Sequence, residues 1–269
     1  MATTDSLFAG SIPQLYDTLM VPMLFDSYAA DMAGRVARLR PEYVLETAAG
    51  TGAVTRALVR ALPATAQITA TDLNQPMLTL AASHLPDQAN VRWQQADAQS
   101  LPFPDDSFDV VVCQFGVMFF PDKPKGYAEA QRVLRPGGRF LFNTWDSVAG
   151  NAFVSVLANA LTETFPDDPP TFMQRVPHGH FDTDAIRAAL GDAGFASSTV
   201  ETVEMTARAT SAMSAATAYI QGTPIRAEIE ARGGSLEDVT QKTATMLAAT
   251  FGTGAIEGAI RAFVFTAIA

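Results

Sequence analysis

From Tyr43 to Trp145 the chain alternates β-branched runs with helical stretches: YVLET, a helix over 53–62, QITAT, a helix over 75–85, VRWQQ, FDVVVCQFG, a helix over 123–134, and RFLFNTW. Strands separated by helices cannot close as tight hairpins; they cross over and pair in parallel, and the helices cover both sheet faces. FDVVVCQFG has no polar alternation, as expected of a strand buried on both sides. The rhythm predicts an α/β fold with a doubly wound, mostly parallel sheet.

The flanks add to this frame. Leu24, Tyr28, Met32, Val36 and Leu39 recur at three- and four-residue spacing, so residues 12–40 read as two helical pieces broken at Pro22. Arg135-Pro136-Gly137-Gly138 reads as the stop of the helix over 123–134. After a helix in NAFVSVLANALTETF, residues 166–182 are rich in proline and polar groups without a period, and read as a loop or lid. A helix over 183–193, capped by Asp182 or Thr183, leads to a sixth strand near STVETVEM. Residues 210–258 read as a helical insertion, and RAFVFTAIA as a final strand that completes a seven-stranded sheet. One domain over residues 1–269 is expected, with N-terminal helices (1–40), a binding core (41–146), the lid and the insertion.

Composition narrows the partners. With 48% hydrophobic and 17% charged residues, the 269-residue chain is expected to pack rather than stay disordered. A net charge of -10 without a local Lys/Arg cluster repels a phosphate backbone, so nucleic acid is not an expected partner. Cys113 is the only cysteine, MATTDSLFAGSIPQ has no signal-peptide pattern, and no apolar run reaches the roughly 20 residues of a membrane span. A cytoplasmic protein without a transmembrane segment is expected, and a homodimer is left open. His84, His178 and His180 have no zinc-ligand spacing, so no metal is expected.

VLETAAGTG, residues 44–52, runs from a strand into a turn of small residues ahead of a helix, a geometry that exposes backbone N–H groups to a ligand. A dinucleotide fingerprint would read G-x-G-x-x-G, but from Gly50 the chain gives G-T-G-A-V-T, with Thr55 at the third glycine's place. Asp72, at the end of the second strand, stands where an acid meets ribose hydroxyls; the plain alternative is an N-cap for the helix beginning near Asn74. The turn itself has the equally plain reading of an ordinary strand-to-helix connection.

Four stretches in order, VLETAAGTG, ITATDLNQPML, QQADAQSLPFPDDSFDVVVCQFGVMFF and RVLRPGGRFLF, give the chain a resemblance over roughly residues 40–145 to the class I S-adenosylmethionine-dependent methyltransferases. The likeness is to the small-molecule group that includes the ubiquinone and menaquinone C-methyltransferases. It implies a Rossmann-like fold and S-adenosyl-L-methionine as cofactor, with S-adenosyl-L-homocysteine as product. By the same resemblance Thr47, Ala48, Ala49, Gly50 and Gly52 wrap the methionine part, with Glu46 in the acidic opening position. Asp72 binds the ribose hydroxyls, Leu73 and Met77 pack on the adenine, Asp97 accepts from its amino group and the Ala98 backbone donates to its ring. Gln114, Phe115 and Gly116 line the sulfonium side. The chain departs from the commoner pattern in having Glu46 for Asp and Ala48 for Gly, and a methyl at residue 48 is expected to require negative φ.

Transfer of a methyl group from a sulfonium needs mainly in-line positioning. For a hydroxyl acceptor, His178 and His180 are candidates for a general base, set against a plain role as polar loop residues. Tyr16, Tyr28, Met118, Phe119, Phe153 and Phe172, with Phe165 and Met173, suit a small, largely apolar acceptor, although aromatic and methionine residues at such spacings also serve as core. Two other readings stand: a module that binds S-adenosylmethionine without transfer, and an NAD-dependent oxidoreductase.

Overall fold

The computed structural model describes Phe8 and residues 10–269. The expectation about a leader sequence rests largely on residues outside that range. Two compact units form: a sheet unit of Tyr28–Trp145, Phe181–Val203 and Ala262–Ala269, and a helical unit of the described residues through Ser27, Asp146–His180 and Glu204–Arg261.

Seven strands make one sheet: β1 (Tyr43–Glu46), β2 (Gln67–Asp72), β3 (Val91–Gln95), β4 (Phe108–Gln114), β5 (Leu134–Trp145), β6 (Ser197–Ala209) and β7 (Ile256–Ile268), in the order β3-β2-β1-β4-β5-β7-β6. The first five pair in parallel and β7 lies antiparallel to β5, Trp145 opposite Ala262. The doubly wound, mostly parallel seven-stranded sheet is thus the one the sequence rhythm implies. Val110, Val111, Val112 and Cys113 of β4 are all buried, because this central strand is covered on both faces. Strand order reverses between β1 and β4, and such a switch point leaves a crevice at the carboxyl ends of the strands.

The N-terminal segment differs from its sequence reading. Pro22 does not break it: α1 (Ile12–Leu15) runs into a π-helical stretch, Tyr16–Phe25, and then α2 (Asp26–Leu39). A proline has no N–H to give and crowds the carbonyl one turn back, and the wider π turn accommodates both defects without ending the helix. Further along come α3 (Ala53–Ala61), α4 (Gln75–Ser83) and α5 (Lys123–Val133). α5 does end just before Arg135-Pro136-Gly137-Gly138, at Val133, and the stretch forms the bulged start of β5: the register jumps from Phe108↔Leu134 to Val110↔Arg139. Gly137 N and Gly138 O pair with Ala269, so the stretch stays within the sheet, with Gly137 at φ 79° forming the bulge. Of α6 (Ala152–Thr164), α7 (Phe172–Arg175) and α8 (Thr183–Asp192), the last is capped by Asp182, whose carboxylate accepts from Asp184 N and Ala185 N. Residues 210–258 hold α9 (Ala212–Gln221), α10 (Ile225–Ala231) and α11 (Leu236–Phe251).

Residues 166–182 are not structureless either. Within the helical unit, α7 buries Phe172 and Met173, and its first N–H groups are capped from a distance. Thr171 N and Phe172 N donate to Glu228 Oε2 at 2.8 and 3.2 Å, while Arg175 donates to Glu228 Oε1 at 2.8 Å. Since the cap is 57 residues away in sequence, local pattern could not announce this helix. Glu228→Ala should therefore destabilise the protein by about 1–2 kcal/mol, the range for losing a helix cap, read as a lower urea midpoint at unchanged slope. A midpoint equal to that of the parent would show the cap to be energetically idle.

Candidate functional site

The glycine turn follows β1 at the switch point. Thr47 N donates to Val112 O, Ala49 N to Thr71 O and Gly52 N to Ala49 O, each at 2.9 Å, so main-chain bonds to β4 and β2 fix the path. Gly50 and Gly52 adopt φ of 57° and 81°, which glycine takes without cost. Ala48 does so as well, at 53°. The expectation of negative φ at residue 48 is therefore overturned: the flanking bonds force the left-handed region and the side chain tolerates it, at a cost of about 1–2 kcal/mol. Across the crevice floor, a Cβ at Gly116 would fall 2.5 Å from Ala48 Cβ and 2.6 Å from Cys113 Sγ. The methyl group at 48 thus packs where only glycine fits opposite.

Asp72 joins the turn to the second strand. Its Oδ2 accepts from Gly50 N at 2.9 Å and its Oδ1 from Asn74 N at 2.8 Å. The second contact is local, but α4 begins at Gln75 with Asn74 as its N-cap residue, so Asp72 is not the cap of the plain alternative. Burial raises its pKa, with the N–H groups of Asn74 and Gly50 opposing the rise. Leu73 beside it is 37% exposed, whereas Met77 is buried under Gly50. On the loop after β3, Asp97 Oδ1 accepts from Gln99 N and Gln99 Nε2 at 2.9 and 3.2 Å, and Gln99 Oε1 accepts from Asp122 N at 2.8 Å. Ala98 is half-buried next to it.

Beneath the turn, Glu46 is buried, and its Oε2 accepts from the Thr55 hydroxyl at 2.6 Å. Thr55, wholly buried in α3, holds the place of the missing third glycine and uses it to satisfy an acid. Thr71 adds a hydroxyl bond to Glu46 O. Burial pushes the Glu46 carboxyl up to about 8, while the Thr55 hydroxyl and the charge of Arg56 pull the other way and the negative charge of Asp72 adds to the rise.

At the carboxyl end of β4, Phe115 also sits in the left-handed region, at φ 51°. Its ring stacks on Trp145 with centroids 3.7 Å apart, and Tyr28 meets both rings edge-on. Phe115 N donates to Asn143 Oδ1 at 2.8 Å. The Tyr28 hydroxyl donates to Val203 O, and Tyr28 is fully buried, as is Met118; Phe119 and Gln114 are half-buried. Burial raises the pKa of the Cys113 thiol to about 12, so it stays protonated.

The sheet unit therefore brings together the Glu46–Gly52 turn, Asp72–Met77, Asp97–Ala98 and Gln114–Gly116 at the carboxyl ends of adjoining strands. The remaining candidates belong to the helical unit. There Phe153 and Phe172 are buried and Tyr16 stacks on Phe25. His178 is not an exposed loop residue: it is buried, its Nδ1 lies 2.7 Å from Asp146 O, and burial lowers its pKa to about 4. It is thus a neutral imidazole above that pH, with Nδ1–H donated to a carbonyl. His180 is half-buried. Sequence reasoning passed over Asn143 and gave Thr55 only a negative meaning; for Thr55, a hydroxyl three positions after Gly52, where a fingerprint has glycine, was the available signal.

Comparison with known proteins agrees with this geometry. A family model described as a methyltransferase domain matches residues 45–142. The ubiquinone/menaquinone biosynthesis C-methyltransferase of Psychromonas ingrahamii is 44% identical over 101 residues, 36% of this chain and 40% of that relative. The enzyme of the same name from Escherichia coli is 31% identical over 170 residues, 59% of this chain and 68% of that relative. In fold, the chain resembles a Haemonchus contortus phosphoethanolamine N-methyltransferase solved with phosphomonomethylethanolamine and S-adenosylhomocysteine. There the TM-score is 0.61 at 16% identity, over 95% of this chain and 57% of that one. The chain belongs to the methyltransferase family that includes the ubiquinone/menaquinone biosynthesis C-methyltransferases. It spans less than half the length of the Psychromonas relative.

Two tests follow from the turn. Folded Glu46 holds its proton up to about pH 8, whereas an ordinary glutamate releases it near 4.5. Its contribution to stability is full below about 4.5 and is lost as pH rises through about 8. Glu46→Gln keeps a neutral acceptor for Thr55, so its stability relative to the parent should improve by roughly a few kcal/mol between pH 5 and 9. A constant difference would mean that Glu46 does not titrate there. Gly116→Ala should cost about 1–3 kcal/mol by overpacking against Ala48, and Ala48→Gly in the same chain should recover part of it. Strict additivity of the two changes would deny the contact.

Proposed function

We propose that the chain is an S-adenosylmethionine-dependent methyltransferase that transfers a methyl group to a small, largely apolar organic acceptor by in-line displacement. The observation that carries this reading is the pairing of two carboxylates, Asp72 and Asp97, with a glycine turn at the carboxyl ends of β1, β2 and β3, beside the switch point. Asp72 binds the ribose hydroxyls with the acceptor capacity that Gly50 and Asn74 leave. Asp97, anchored through Oδ1, has Oδ2 without a protein partner among the described residues and accepts from the adenine amino group, next to the Ala98 backbone. Leu73, exposed at the strand end, covers the adenine with Met77 beneath. The turn over 47–52 wraps the methionine part, and Gln114, Phe115 and Gly116 flank the sulfur.

The donor set supports this cofactor over a dinucleotide. Under the turn lies a buried acid, Glu46, held by Thr55, and a pyrophosphate there would meet the Asp72 carboxyl that holds Gly50 N. A ligand that is cationic and brings hydroxyl donors meets the Asp72 carboxyl favourably, since charge-assisted hydrogen bonds outweigh neutral ones. The bound cofactor supplies an electrophilic methyl on a sulfonium. The chain's part is to hold that methyl in line with the acceptor and to exclude water, which needs no protein nucleophile. His178, neutral and tied to Asp146 O, is poorly suited to take a proton at neutral pH. This favours acceptors that react without a strong protein base. We also place the protein in the cytoplasm, because one cysteine forms no internal disulfide.

Calorimetric titration with S-adenosylmethionine, S-adenosylhomocysteine and NAD tests the cofactor, and a labelled-methyl screen over phenols, quinol precursors, carboxylic acids and amines tests transfer. Asp72→Asn should weaken binding of S-adenosylhomocysteine by about 1.5–3 kcal/mol, the range for hydrogen bonds to a charged group. Binding of NAD alone would overturn the reading. Binding of S-adenosylmethionine with no labelled product from any acceptor would instead favour a module without transfer.

A further inference from the structure

Asn143 lies at the carboxyl end of β5, in register with Gln114, and is wholly buried. Its Oδ1 takes the N–H of Phe115, the first residue past β4, where the backbone turns left-handed. Because only the oxygen of an amide can face an N–H, the orientation of the side chain is settled. Nδ2 is then left buried, with no partner among the described residues. A leucine would fill similar space without an unsatisfied donor, so the amide is retained at a cost, and its one side-chain hydrogen bond among the described residues is to the corner at Phe115.

That corner has two dependents. The Phe115 ring lies flat on Trp145, and Gly116 abuts the methyl group of Ala48 on the opposite strand end. Held elsewhere, by Asp72 at the end of β2 and Asp97 on the loop after β3, an adenosine moiety would not sense a shift of the corner.

We propose that Asn143 is a positioning residue: through the Phe115 N–H it fixes the Phe115–Gly116 corner against the cofactor's sulfur, and so sets how strongly a charged sulfonium binds relative to a neutral thioether. The role rests on the reading above that places this corner beside the sulfur. Backbone carbonyls and aromatic faces act on a nearby cation over short distances and depend on orientation, so a loosened corner penalises the sulfonium selectively.

The chain has two tryptophans, so a Trp93→Phe parent makes Trp145 the sole reporter of the stack. Trp145 emission and Kd for S-adenosylmethionine and S-adenosylhomocysteine are measured in the parent, N143D and N143L. N143L should shift the emission and weaken S-adenosylmethionine about tenfold, with S-adenosylhomocysteine within about twofold. N143D, which keeps an oxygen on the Phe115 N–H, should stay near the parent. Should N143L fail to fold, N143S, whose hydroxyl is too short to reach, replaces it. Parental emission with an unchanged ratio of the two Kd values in N143L or N143S overturns the role. So does equal weakening of both ligands, or an N143D as impaired as N143L. If the parent binds neither ligand, the cofactor reading itself falls, and the role with it.

Discussion

The Asp72 carboxylate is the contact on which the candidate site depends. One oxygen holds Gly50 in the turn after β1 and the other holds Asn74 at the start of α4, so one side chain sets the spacing between two strand ends. Desolvation is the price of that arrangement, and backbone N–H groups, which cannot be protonated away, offset it. A carboxylate already fixed in place needs no reordering when a ligand's hydroxyls arrive, which favours binding by preorganisation.

Glu46 works in the opposite sense. Its single side-chain hydrogen-bond partner is a neutral hydroxyl, and burial, outweighing that bond and the charge of Arg56, favours the protonated acid. The two acids of the site therefore differ in the empty protein: one is stitched by three N–H groups from Gly50 and Asn74, the other is held by Thr55. A cation entering the turn would shift Glu46 toward its ionised form. Ligand charge and proton binding are consequently linked at this position.

Much of this was legible in the sequence because it is local or periodic. The alternation of strand and helix from Tyr43 to Trp145 dictated a parallel sheet, and the unbroken apolar run in β4 marked its centre. Asp72 and Asp97 were visible because each follows a strand. What was not legible depends on distant partners. Glu228 caps α7 from another helix, Ala269 pairs with Gly137 and Gly138 in the sheet, and a π turn absorbs Pro22, so in each case regular structure persists where local chemistry pointed to none. The same holds within the site. Thr55 read as an absent glycine, and its hydroxyl acquires meaning only once Glu46 lies opposite.

Ala48 and Phe115 show a departure of another kind within the site. Both are non-glycine residues in the left-handed region, on the turns that leave neighbouring strands β1 and β4, and the residue after Phe115 touches Ala48 directly. Strain of this kind persists only where surrounding contacts over-determine the backbone. Here the ladder bonds of Thr47 and Ala49 do so on one side, and the Asn143 amide with the Trp145 stack on the other. The two corners pack against each other, each filling space the other leaves. The missing glycine at residue 48 is therefore not a defect in the turn: its methyl group fills the space beside Gly116, across the switch point, where a second side chain would not fit.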